Sequence, residues 1–145
     1  MKNTPWLLRG DFSVDCSEFR LPFEWVIRRR GSNAVGKYGM GVARRWLTSI
    51  GIQLDGHHAF FARGVPSSHP DFFDHETRIA HEVKTGRPSL TNQSLNQIVA
   101  YERAVRTRQA KLIVYLNVAF EGKAGLTPRY REELRRRGFR LFIFR

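Results

Sequence analysis

Cysteine is nearly absent from this chain. Cys16 is the only one, so no disulfide can form within the chain and no Cys-rich zinc site can be built from it. We therefore expect the protein to act in a reducing compartment, which favours a cytoplasmic site of action.

Long apolar segments are also missing. No run approaches the roughly 20 apolar residues that a membrane-spanning helix needs, and the N-terminus lacks the uninterrupted apolar stretch of a signal peptide. We expect a chain that does not span a membrane and does not export itself.

Acidic residues are scarce relative to basic ones. The chain has 13 Asp and Glu against 25 Lys and Arg, a formal net charge of +12. Such an excess favours a polyanionic partner, because neutralised phosphates release their condensed counterions. Nucleic acid is the favoured partner, while a basic surface that serves only solubility or binds an acidic protein stays open.

What is present fits one domain of ordinary size. The 145 residues, 41% of them hydrophobic, are enough for a single packed core. A shift in composition near residue 31 divides the chain into an N-terminal extension, residues 1–34, and a main domain, residues 35–145. Within the extension we predict a short helix over residues 22–30.

The main domain is predicted to alternate helices and strands. Helical spacing of apolar residues before Gly51, a continuous apolar run (KLIVYLNV) and a cap-then-proline pair at Thr127-Pro128 are the clearest signals. The predicted order is a helix (35–50), a strand (52–61), a hairpin (71–74 and 79–84), a helix (about 92–107), a strand (111–118), a helix (128–137) and a strand (139–144). This order favours the α/β class, a mixed β-sheet with helices on both faces.

The predicted hairpin carries the residues with the clearest chemistry. Asp71 opens one arm, and Glu82 and Lys84 share a face of the other because side chains two apart on a strand point the same way. Two carboxylates of this kind suit Mg²⁺ or Mn²⁺ better than Zn²⁺. Such an ion activates water, and Lys84 would orient that water or stabilise the transition state.

Zinc and nucleotide-hydrolysis signals are weak. The five histidines form neither an HxxxH nor an HExxH pattern, so a zinc site is not predicted. His81 is expected on the opposite face of its strand from Glu82, as a packed residue. The glycines at 36, 39 and 41 match no phosphate-binding loop.

The hairpin motif resembles a known signature. Pro70-Asp71, followed by Glu82-Val83-Lys84 in the paired strand, is similar to the motif of the PD-(D/E)XK nuclease superfamily. The resemblance implies a restriction-endonuclease-like core from about residue 35 to the C-terminus. It also implies that the Val83 carbonyl adds a metal ligand beside Asp71 and Glu82. A structural ion pair between Lys84 and the acids is the alternative.

The helix after the catalytic strand extends the resemblance. Gln97 and Tyr101 resemble the QxxxY element of some branches of the superfamily. The segment HEVKTG, followed by a Gln-bearing helix, looks most like the restriction-endonuclease-fold toxin domains of bacterial polymorphic toxin and contact-dependent inhibition systems. We expect Gln97 to lie in the catalytic site. Tyr101, Arg87 and Arg63 are expected to contact the nucleic acid. The glutamine and tyrosine could equally form the polar margin of the helix.

One family feature is missing from the first predicted helix. Many members carry a glutamate there as a further metal ligand, but residues 36–41 read GKYGMG. Three alternatives remain: one metal suffices, Glu18 or Glu24 folds in from the extension, or the ligand is absent.

These features together predict a metal-dependent nuclease that prefers DNA. The alternatives are a toxin of the same fold that cleaves transfer RNA, a repair or phage nuclease, and a non-catalytic nucleic-acid-binding module. The toxin resemblance implies delivery into the cytoplasm of a target cell by a larger secreted carrier. It also implies a small acidic immunity protein as partner.

Overall fold

A computed structural model of the chain describes residues 5–7 and 9–145. Besides two short 3₁₀ turns, the elements are four helices and five strands within these residues. The helices are α1 (Glu24–Arg29), α2 (Ser32–Ser49), α3 (Asn92–Arg106) and α4 (Pro128–Arg136). The strands are β1 (Asp11–Val14), β2 (Phe72–Asp74), β3 (Ile79–Thr85), β4 (Leu112–Val118) and β5 (Arg140–Phe144).

The five strands form one mixed sheet in the order β1-β5-β4-β3-β2. Strand β2 runs antiparallel to β3, and the other neighbouring pairs are parallel. Parallel neighbours need a crossover, and α3 and α4 supply the crossovers from β3 to β4 and from β4 to β5. The predicted α/β class, with a mixed sheet flanked by helices, is confirmed. Among the helices described, none is long and apolar enough to cross a membrane.

Both faces of the sheet are covered by apolar side chains. Val83 of β3 packs in the cluster that contains Val42 and Leu47 of α2. Ala80 lies in the opposite cluster, with Ile98 of α3 and Leu134 of α4. Because β3 alternates between these layers, Glu82 faces α3, the same side as Ala80.

Most predicted elements agree with the observed ones, but one strand does not. The prediction of a strand over residues 52–61 is wrong, because this segment makes only isolated bridges, Asp55 to Phe73 and Phe60 to Ser68. The interior Gly56 and the polar pair after it interrupt the pattern, so the segment is an irregular connection between α2 and β2.

The segment before residue 35 contributes to the same sheet and core. Strand β1 pairs in parallel with β5 at one edge, and Trp6 and Cys16 are fully buried. The predicted short helix over residues 22–30 is confirmed as α1. Residues that the sequence analysis assigned to an extension therefore supply an edge strand and two core side chains.

Candidate active site

The hairpin places Asp71 across from Glu82. In the antiparallel ladder Phe72 lies opposite His81 and Phe73 opposite Ala80, so continuing the register by one residue puts Asp71 opposite Glu82. Residues opposite each other in an antiparallel pair share a face of the sheet. The two carboxylates are therefore neighbours on the face that α3 covers.

Asp71 is fixed by the backbone of the neighbouring strand. The amide N–H of Val83 donates to Oδ2 of Asp71 at 2.7 Å. This bond holds the carboxylate against β3 although Asp71 itself precedes β2. This hydrogen bond uses the amide of Val83. The metal ligand predicted from the sequence is a different group of the same residue, its carbonyl.

Three side chains contact the carboxylate of Glu82. The Tyr101 hydroxyl donates to Oε1 at 2.5 Å, and the Gln97 amide nitrogen donates to Oε2 at 3.2 Å. The Lys84 ammonium lies 3.5 Å from the same Oε2. Gln97 and Tyr101 are four residues apart on α3, so one flank of the helix holds both oxygens of a single carboxylate.

The position of Glu82 makes its negative charge costly. Only 5% of the residue is exposed, and burial together with the adjacent Asp71 raises the pKa of Glu82 to about 8, with Lys84 and Tyr101 acting in the opposite direction. Two acids confined in this way are less stable as a pair of anions, and a bound cation would relieve their repulsion.

A cleft opens beside these residues. Its volume is about 190 Å³, and it is lined by Lys84, Gln93, Ser94 and Gln97. The first turn of α3 forms one wall, held by a capping box in which Thr91 and Ser94 exchange hydrogen bonds. The cleft leaves Lys84 a polar approach from solvent.

Asn117 is a positioning residue that the sequence analysis missed. It is fully buried on β4 opposite Lys84, and its side-chain nitrogen donates to the carbonyls of Lys84 at 3.1 Å and Gly86 at 2.8 Å. These bonds fix the backbone where β3 ends. The available signal was a lone amide inside an otherwise apolar run, since a buried polar group needs partners.

The three residues predicted to contact nucleic acid have different positions. Tyr101 is fully buried, and its hydroxyl contacts Glu82 and, at 3.1 Å, the carbonyl oxygen of His69. Tyr101 thus orients a carboxylate and offers no surface to a polymer. Arg87 and Arg63 are exposed on the connections that follow β3 and precede β2.

Neither Glu18 nor Glu24 of the N-terminal segment joins the pair. Glu24 accepts a hydrogen bond from the Tyr38 hydroxyl at 3.1 Å and lies 3.3 Å from Arg20. Glu18 is exposed on a 3₁₀ turn. The carboxylates that the described residues bring together at this site are those of Asp71 and Glu82.

His81 lies on the opposite side of β3, as predicted. It is fully buried, and its ring packs edge-to-face against Trp6 with centroids 5.1 Å apart. Burial lowers the pKa of His81 to about 4, partly offset by the Asp74 carboxylate and the Phe72 backbone. The histidine is therefore a neutral core residue at physiological pH.

Comparison of the chain with protein-family models, curated proteins and solved structures gives no match.

Proposed function

We propose that this chain is a metal-dependent nuclease with a restriction-endonuclease-like PD-(D/E)XK core, and that it hydrolyses phosphodiester bonds in DNA in preference to RNA. One observation carries the proposal: the carboxylate of Asp71, just before β2, lies beside that of Glu82 on β3, and Lys84 is 3.5 Å from Glu82. Asp71, Glu82 and Lys84, which are separated in the sequence, therefore form one cluster in the fold. The charge of +12 favours a polyanionic substrate.

The donor set fits Mg²⁺ or Mn²⁺. The carboxylates of Asp71 and Glu82 and the carbonyl of Val83 are hard oxygen ligands. Burial, and next to it the adjacent Asp71, raises the pKa of Glu82, and a divalent ion would offset the negative charge that both effects make costly. When bound, the ion would supply a water of lowered pKa and neutralise charge that develops on the phosphate.

The protein side chains have distinct roles in this proposal. Lys84 orients the attacking water and donates to the phosphate oxygen in the transition state. Tyr101 and Gln97 are positioning residues, since each holds one oxygen of Glu82 in place. Asp71 is aligned by the Val83 amide.

A structural role for the same network is the main rival. Glu82 joins β3 to α3 through Tyr101 and Gln97, and that alone would give the helix a polar anchor. A structural network gives no reason for a second carboxylate beside Glu82, because that acid makes the burial of Glu82 more costly. The presence of Asp71 therefore favours catalysis.

Cleavage assays test the proposal directly. Purified protein is incubated with plasmid DNA, single-stranded DNA and total RNA, each with Mg²⁺, Mn²⁺, Zn²⁺ or EDTA. We expect DNA cleavage with Mg²⁺ or Mn²⁺, its loss in EDTA, and its abolition by Asp71→Ala. Glu132→Ala, which removes an exposed acid of α4, is the matched control and should cleave normally.

Each other result selects a different function. Cleavage of RNA alone would select the RNase alternative. Binding without cleavage by the folded wild-type chain would select the nucleic-acid-binding module. Equal cleavage by wild type and Asp71→Ala would remove the proposed site from the reaction.

We further propose that the chain is an antibacterial toxin domain, on the resemblance of HEVKTG and the following Gln-bearing helix to toxin domains. Its partner would be a small acidic immunity protein. A cavity of about 390 Å³ at the β1–β5 edge, opposite the edge that carries Asp71, supports an acidic partner. Its lining includes four arginines, Arg9, Arg131, Arg135 and Arg140, against one acid, Asp11.

Expression in bacteria tests the toxin proposal. The wild-type chain should inhibit growth when produced in the cytoplasm, and Asp71→Ala or co-expression of an adjacent gene for a small acidic protein should restore growth. Harmless accumulation of the folded wild-type chain would exclude the toxin role and leave the nuclease proposal intact.

A further inference from the structure

A second group of metal-ligating side chains lies away from Asp71 and Glu82. Asp55, His58 and His75 each direct one ligand atom toward the others, all within 4.8 Å of one another. Asp55 and His58 belong to the irregular connection before β2, and His75 follows the end of β2. The group is therefore at the opposite end of β2 from Asp71.

The backbone and packing hold the group in place. Asp55 and Phe73 exchange two backbone hydrogen bonds, at 2.9 and 2.8 Å. The His58 ring stacks on Phe73 with centroids 3.8 Å apart and an interplanar angle of 7°. His75 lies 2.8 Å from Oδ2 of Asp55 through its Nε2 atom. Phe73 thus sets the positions of the two ligands that come from the loop.

From this arrangement we propose that Asp55, His58 and His75 bind a divalent transition metal, with Zn²⁺ the best fit. Two imidazoles and one carboxylate suit Zn²⁺, Co²⁺ or Ni²⁺ better than Mg²⁺. Zinc ligands lie about 2.0–2.2 Å from the ion, so small shifts of the three side chains would bring their ligand atoms onto one ion. His75 has 62% of its side chain exposed, which gives the ion access and leaves room for a water as fourth ligand.

The sequence did not predict this site, because its ligands have no zinc-motif spacing. Asp55 and His58 are three positions apart, and His58 and His75 are seventeen apart. Only the return of the loop onto β2 brings them together. The loop lacks regular strand pairing apart from its isolated bridges. A metal bound there would fasten the loop to the hairpin.

Binding is measured in the Asp71→Ala background, so that the proposed catalytic metal does not contribute. Calorimetry and the visible absorption of Co²⁺ report affinity and ligand type, and thermal unfolding is followed with Zn²⁺, Mg²⁺ or EDTA. We expect one Zn²⁺ per chain and a rise in unfolding temperature of roughly 5–10 °C at free Zn²⁺ about 100 times Kd. Mg²⁺ should give no comparable rise.

Substitutions assign the ligands. His58→Ala and His75→Ala should each weaken Zn²⁺ binding by about tenfold or more, whereas His57→Ala, which removes an adjacent exposed imidazole, should not. Far-UV circular dichroism in EDTA checks that each variant is folded, and His75→Gln repeats the test at an exposed position. Absence of stoichiometric Zn²⁺ binding, or binding unchanged in both histidine variants, would overturn the site. Either result would leave the nuclease proposal standing.

Discussion

The Tyr101 hydroxyl lies 2.5 Å from Oε1 of Glu82, inside the layer between α3 and the sheet. This bond joins the candidate catalytic carboxylate to the helix that follows it. It also lowers the pKa of Glu82 against the stronger opposing effect of burial.

Tyr101→Phe tests the bond while keeping the buried ring. Loss of the hydroxyl should free Oε1 and raise the pKa of Glu82 further, so metal affinity or cleavage should fall by roughly 10–100-fold. Mn²⁺ titration and cleavage rates on the same preparation measure this. Tyr130→Phe, at another buried tyrosine of the same apolar layer, is the control. Equal losses in both variants would indicate general damage to the core.

Lys84→Ala tests the role of the ammonium. We expect turnover to fall by about two to four orders of magnitude, because in the proposed mechanism the lysine acts on the attacking water and the transition state. Mn²⁺ affinity should change much less than turnover. Lys111→Ala removes an exposed lysine just before β4 and serves as control. Unchanged cleavage by Lys84→Ala would remove this residue from the mechanism.

His81 predicts a loss of stability in acid. Its pKa is about 4 in the folded chain against an ordinary value of 6.5, so below pH 6.5 the unfolded chain binds a proton that the folded chain does not. Stability should therefore fall as pH falls from 6.5 to about 4, by on the order of 3 kcal/mol. Above pH 6.5 the histidine is neutral in both states and contributes no pH dependence.

The measurement compares urea unfolding of wild type and His81→Phe at about pH 7 and about pH 4.5. The variant should lose less stability on acidification. Glu82, whose raised pKa acts in the opposite direction, is present in both proteins, so its contribution cancels in the comparison. Equal losses would show that protonation of His81 does not drive the effect.

At Gly39, helix α2 packs so closely against β3 that there is no room for a side chain. A Cβ atom at Gly39 would lie 1.9 Å from Oγ1 of Thr85, whereas one at Gly36 of the same helix would meet nothing within 4 Å. Gly39→Ala should therefore destabilise the protein by about 1–3 kcal/mol. Gly36→Ala should stabilise it by up to about 1 kcal/mol through helix propensity.

Denaturant unfolding of both variants checks this prediction, and Thr85→Ala provides the second test. Combined with Gly39→Ala, it should recover part of the lost stability, since the clashing hydroxyl is gone. A Gly39→Ala variant as stable as Gly36→Ala would contradict the close approach of helix and strand.

Most of the secondary structure around the site can be predicted from local sequence patterns. Alternation along β3 places Glu82 and Lys84 on one face and His81 on the other, because the period of a strand is local geometry. The cap-then-proline pair at Thr127-Pro128 likewise predicts where α4 begins. These signals depend on neighbours in the chain, so one sequence suffices to detect them.

Which distant residues meet depends on packing and loop closure, which no local pattern in the sequence reports. The hydrogen bonds of Gln97 and Tyr101 to Glu82 depend on how α3 packs over β3. The approach of His58 to His75 depends on a loop that folds back onto β2 through two backbone hydrogen bonds. No repeating sequence pattern predicts either contact, because packing and loop closure set the distances between residues far apart in the chain.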